Sequence, residues 1–132
     1  MLSSSQVSKI EAEVKQAATI HLNTKDINTA LSHFTDDVFA VSNIKLFPTR
    51  ETLAADINEY YKNLKKVNYA FWNDIHIHVI NEITATFTAK FCYGFTSIDD
   101  QITELQGVWT ALFINDKGIW RIRLRHESFV QL

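Results

Sequence analysis

The sequence predicts an α+β domain in which three N-terminal helices are covered by a curved antiparallel sheet. Three observations carry this. Apolar residues recur at three- and four-residue steps through the first half of the chain; the period changes to two at Val67 and stays there; and Asn115-Asp-Lys-Gly118 separates two long alternating runs as a hairpin turn. Helices first and strands after them are the order expected when one face of a sheet is packed by helices.

Residues 5–22 read as an amphipathic helix with Val7, Ile10, Val14, Ala17, Ala18 and Leu22 on one stripe, capped by Ser3, Ser4 or Ser5. Asp26 caps a short second helix carrying Ile27, Ala30, Leu31 and Phe34, which Thr35-Asp36-Asp37 ends. Residues 38–42 form a short strand, and 43–47 are irregular or a second short strand. Thr49 caps a third helix with Leu53, Ile57, Tyr60 and Leu64 on one face, and Lys62, Lys65 and Lys66 suit its negative end.

Beyond Val67, Phe71, Asn73, Ile75, Ile77 and Val79 alternate against Trp72, Asp74, His76 and His78. Ile83, Ala85, Phe87, Ala89, Phe91, Tyr93 and Phe95 then alternate against a Thr-rich face. In the final hairpin a turn at 115–118 pairs Phe113 with Trp120, Ala111 with Ile122, Trp109 with Leu124, Gly107 with His126 and Leu105 with Ser128, all on one face. Joined in register, the preceding strand sets Phe91 beside Gly107 and Tyr93 beside Leu105.

Composition narrows the function classes. The 132 residues fit one domain spanning 1–132, with no repeat or linker. A net charge of -2 gives no basic field for nucleic acid or an anionic membrane, so neither partner is expected. The single Cys92 excludes an internal disulfide and a multi-Cys zinc site and is compatible with the cytoplasm, the expected location. No secretory leader and no apolar run near the ~20 residues of a membrane span is read.

The concave face is expected to be closed core near the hairpin turn, with Trp120, Phe113, Ile122, Ala111, Phe87 and Ala85. At the other end His126, Ser128, Tyr93 and Trp109 surround the space left by Gly107, with Tyr60 and Asn73 projecting toward it. His126 is the candidate proton-transfer residue, because an imidazole titrates near neutrality. His76 and His78 share a strand face but lack a third ligand, so no metal is expected, and no cofactor. Arg121, Arg123, Arg125 and Glu127 read as one charged row on the outer face. Together with Val108, Leu112, Ile114 and Trp72, that face is the expected homodimer interface.

The order of elements resembles the nuclear transport factor 2-like superfamily, which includes SnoaL-like and ketosteroid isomerase-like proteins. The local matches are His33-Phe-Thr-Asp-Asp-Val-Phe-Ala-Val-Ser42, Pro48-Thr-Arg-Glu-Thr-Leu53, and Asp116-Lys-Gly-Ile-Trp-Arg-Ile122 running into His126-Glu-Ser128. The resemblance implies a cone-shaped, cystatin-like α+β barrel with a pocket between sheet and helices, and homodimers. The general-base Asp of ketosteroid isomerase-like enzymes has no match, because Ser42-Asn43-Ile44 stands after the first strand. The leading expectation is therefore a binder of a small, mostly apolar organic molecule. An isomerase or polyketide-cyclase type enzyme using His126 is the alternative, and an interaction module using the outer sheet face is a third class.

Overall fold

The computed structural model describes all 132 residues. Helix α1 covers Ser4–Asn23, α2 Ile27–Ser32 and α3 Arg50–Lys62; strands are β1 Phe34–Ser42, β2 Lys45–Phe47, β3 Leu64–Asn81, β4 Thr84–Ser97, β5 Ile102–Asp116 and β6 Ile119–Gln131. Each helix starts on a side-chain cap. The Ser3 hydroxyl accepts from the Gln6 amide at 3.2 Å while the Ser3 amide donates to Gln6 Oε1 at 2.7 Å, a reciprocal capping box. Asp26 Oδ2 accepts from the Thr29 amide at 2.9 Å, and Thr49 caps α3 through the Thr52 amide. The α1 stripe buries Ile10, Val14 and Ala18.

The strands form one six-stranded sheet in the order β2-β1-β6-β5-β4-β3. All neighbours are antiparallel except β1 and β6, which run parallel. The α+β fold of a curved sheet over three helices is as expected, with two boundary changes. Phe34 belongs to β1 rather than α2: it pairs with Ile122, and the Ile122 amide donates to the His33 carbonyl at 2.7 Å. Leu64 belongs to β3, where it pairs with Ser97. Tertiary pairing supplies strand partners that a local helical period cannot anticipate.

The closed end of the cone is as expected. Ala85, Phe87, Ala111, Phe113, Trp120 and Ile122 are all buried, packed with Val14, Ala18, Phe34 and Val38. The β4–β5 register also holds, with Phe91 opposite Gly107 and Tyr93 opposite Leu105.

The β5–β6 hairpin departs from the expected pairing in two ways. Its turn is only Lys117-Gly118, both at positive φ (54° and 93°), so Asp116 pairs with Ile119 and Phe113 with Ile122. That change alone shifts partners by two and keeps every side chain on its face. The second change does not: Leu112 pairs with Leu124, so Arg123 is an extra residue in β6, a bulge. One inserted residue inverts the alternation beyond it. Arg125, Glu127 and Phe129 therefore face inward, and Leu124, His126, Ser128 and Val130 face outward. A second bulge lies in β3 between Asn73 and His76, with Asp74 at φ 51°. It turns Trp72 inward together with Ile75, Ile77 and Val79, and leaves Phe71, Asn73 and Asp74 exposed.

Candidate functional site

Between the helices and the open end of the sheet lies a cavity of about 710 Å³. Its middle is apolar and aromatic. The Trp72 and Trp109 rings stand 5.1 Å apart, with Phe91, Phe129 and Leu105 completing the wall. Each of its two ends is polar.

The inner polar end is built by α1, β1 and β6. His21, in the last turn of α1, falls seven residues after Val14 and so continues the buried stripe. One edge of its ring opens on the cavity, and the ring packs edge-on to Phe34 at 5.2 Å. His21 Nδ1 lies 2.8 Å from His33 Nδ1, at the junction of α2 and β1. Burial lowers the His21 pKa to about 3, with the charges of His33 and Arg125 adding to the effect; burial first, then Arg121, also lowers that of His33. At neutral pH both rings are neutral, so one Nδ1 carries the shared proton and the other accepts it.

Arg125 is 6% exposed, and its Nη1 lies 3.4 Å from Glu127 Oε1. The Ser42 hydroxyl donates to Glu127 Oε2 at 3.1 Å. Asn43, at the β1–β2 turn, fastens this stretch of β6: its amide donates to the Glu127 carbonyl at 2.9 Å and its Oδ1 accepts from the Phe129 amide at 2.8 Å. The pair is internally neutralised, so this end is polar without a net charge from these two groups.

The outer polar end is built by α3 and β4. The Tyr60 and Tyr93 hydroxyls are hydrogen-bonded to each other, Phe95 packs edge-on to Tyr60 at 5.4 Å, and the Tyr61 hydroxyl donates to the Thr24 carbonyl at 2.8 Å. Burial pushes the Tyr61 phenol up to about 12 and raises those of Tyr60 and Tyr93. All three are protonated donors at neutral pH.

Of the six residues expected at the site, Tyr60, Tyr93 and Trp109 line the cavity, and His126, Ser128 and Asn73 do not. His126 and Ser128 sit outward because of the Arg123 bulge, opposite Thr110 and Val108. Asn73 is exposed opposite Lys90 because of the Asp74 bulge. The placement of His126 as the cavity's proton-transfer group is thereby corrected. The space expected beside Gly107 is also absent: a Cβ there would fall 2.1 Å from the Ser128 carbonyl oxygen and 2.7 Å from Phe129 Cβ, so this glycine permits close strand approach.

The basic row is dispersed. Arg121 bonds Asp116 at 3.2 Å, Arg123 bonds Asp37 at 3.1 Å, and Arg125 is inside. Trp72 leaves the outer face for the cavity wall. His76 Nε2 bonds Asp74 Oδ1 at 2.8 Å, and no cluster of three His, Cys, Asp or Glu side chains exists to hold a metal. His21, Trp72, Arg125, Glu127 and Phe129 are cavity residues that sequence patterns did not point to. The signals were present but faint: His21 lies on the α1 stripe, and Phe129 is out of phase with Trp120 and Ile122.

A cone-shaped sheet over three helices, enclosing a cavity at its open end, defines a nuclear transport factor 2-like domain. Within that superfamily the chain belongs to the SnoaL-like domain family, whose family model matches residues 10–131. Solved structures are similar over nearly the whole chain. A scytalone dehydratase-like protein from Novosphingobium aromaticivorans superposes with a TM-score of 0.87 at 10% identity, covering 97% of this chain and 89% of that one. A ketosteroid isomerase-like protein from Erwinia carotovora atroseptica gives 0.76 at 16% identity, covering 90% and 95%. The hexachlorocyclohexane dehydrochlorinase LinA-type3 from Novosphingobium barchaimii gives 0.75 at 12% identity, covering 98% and 94%. At these identities the likeness is one of fold. No curated protein matches the chain in sequence. No helix is long and apolar enough to cross a membrane.

Proposed function

We propose that this protein binds a small, largely apolar organic molecule in the cavity between sheet and helices. The observation that carries the reading is the cavity itself: about 710 Å³, walled by Trp72, Trp109, Phe91 and Phe129, and polar only at its ends. That size and lining fit the usual small-molecule site. Titrating the protein with 2-naphthol by calorimetry tests it. Saturable one-to-one binding that is lost in Leu105→Trp, which fills the cavity, supports the reading; no heat of binding, or binding unchanged in that variant, overturns it.

A second reading is proton abstraction from such a ligand, as in an isomerase or lyase. It is favoured by His21, an imidazole kept neutral inside the cavity and held by His33. The structural neighbours are named as a dehydratase-like, an isomerase-like and a dehydrochlorinase protein. The same low pKa that keeps His21 neutral also makes it a weak base, which is why binding leads. The chromogenic probe 5-nitrobenzisoxazole reports a positioned base: loss of its ring C–H proton breaks the N–O bond and releases a coloured phenolate. Turnover abolished by His21→Ala and kept in His126→Ala supports catalysis; turnover equal to free imidazole opposes it.

The reading includes a homodimer through the outer sheet face. There Val108, Leu124 and Val130 are 41%, 41% and 64% exposed, an apolar area that a second copy would cover.

A further inference from the structure

The sheet does not close on itself. β3 is its edge and pairs only with β4, so no strand seals the cone beyond β3. Helix α1 packs against β3 instead, and between the two runs a groove of about 310 Å³. Apolar Leu22, Ala70, Phe71, Trp72 and Ile75 line it, with Thr19 on the helix side.

Two of these residues, Leu22 and Trp72, also line the main cavity. They are the partition between the two spaces, one supplied by α1 and the other by β3. The Trp72 indole is held by three rings, Trp109 at 5.1 Å, Phe87 at 5.2 Å and Phe91 at 6.4 Å. Its Nε1–H is buried and meets no acceptor, so no hydrogen bond accounts for an indole at this position. A phenyl ring would carry no unpaired donor. What the larger ring adds is area, and that area stands between the cavity and the groove.

We propose that Trp72 determines ligand length: its indole, with Leu22, ends the cavity, and without it an apolar chain would run on into the α1–β3 groove. This rests on the ligand-binding reading above and adds the residue that limits the size of the molecule taken.

Two dyes with one ring system and different tails test it: 6-propionyl-2-dimethylaminonaphthalene and its 6-dodecanoyl analogue, whose emission moves to the blue on leaving water. Fluorescence titration gives the ratio of the two affinities within each protein. In the wild type the long-tailed dye binds no tighter than the short one. In Trp72→Ala it binds at least about tenfold tighter, the effect of burying roughly two methylene groups. Leu22→Ala, on the other side of the partition, moves the ratio the same way and decides the matter if Trp72→Ala does not fold. Thr19→Trp fills the groove from α1 at a position outside the cavity lining; added to Trp72→Ala, it returns the ratio to the wild-type value. A wild type that already favours the long tail, or a ratio unmoved by Trp72→Ala and Leu22→Ala, overturns the proposal and leaves the binding reading standing. A gain that survives Thr19→Trp also overturns it, since the chain then lies elsewhere. If neither dye shifts its emission with the wild type, this proposal and the binding reading fall together.

Discussion

His21 and His33 face each other Nδ1 to Nδ1 at 2.8 Å, tying the end of α1 to the start of β1. Two neutral rings can share one proton there; two imidazolium rings cannot. The contact is therefore a feature of neutral and alkaline solution.

Acid should undo it. Both folded pKa values lie below the ordinary histidine value, that of His21 at about 3. The unfolded chain takes up protons first, so the stabilisation is fully present above about pH 6.5 and is lost progressively toward pH 3. For His21 the loss by pH 4 is on the order of 3 kcal/mol, since each tenfold difference in proton affinity is worth about 1.4 kcal/mol. Urea unfolding midpoints from pH 7.5 to 4 check this, and His21→Phe should flatten the slope.

The tyrosines give the opposite limb. Tyr61, pushed up to about 12, and the raised Tyr60 and Tyr93 are neutral in the folded protein where an unfolded phenol would ionise. This contribution is present below about pH 10 and fades as pH rises beyond it. Near-ultraviolet absorbance of phenolate should remain low in the folded protein at about pH 10 and rise on unfolding in urea.

Removing Arg123 should straighten β6 without turning the cavity lining over. With Leu124 directly after Ile122 the pairing with β5 becomes regular, Leu124 and His126 stay outward, and Arg125, Glu127 and Phe129 stay inward. A cost of about 1–3 kcal/mol is expected in chemical denaturation, with 2-naphthol binding kept; loss of that binding would show that the bulge itself shapes the cavity. Arg123→Ala keeps the residue count and should cost less than about 1 kcal/mol, because its bond to Asp37 is exposed.

The two ends of the cone should respond differently to truncation. Phe113→Ala, at the closed end and 1% exposed, is expected to cost about 3–5 kcal/mol. Phe95→Ala, at the cavity's outer end, should cost about 1–2 kcal/mol because space already adjoins it. Thermal unfolding of the two variants compares them directly.

Light scattering behind size exclusion checks the outer face. A homodimer has twice the 15.2 kDa chain mass, and Leu124→Lys should halve it. A wild-type monomer at all concentrations would remove the dimer from the reading.

How much of this was written in the chain follows from what local patterns encode. Helical and strand periods, Ser3, Asp26 and Thr49 as caps, and the closed-end core from Ala85 to Ile122 were all legible, because period and capping are properties of a few neighbouring residues. So was the β4–β5 register that brings Tyr93 beside Leu105. The lining of the open end was not. Trp120, Ile122 and Leu124 alternate without a break in sequence, yet Leu124 is outside and Arg125 inside. A bulge is one residue in a strand whose partner has none to match it, and that mismatch exists only once β6 lies between β5 and β1. Sequence alone determined the fold and the end of the cone where a cavity forms. Tertiary pairing decided which imidazole, His21 rather than His126, looks into it.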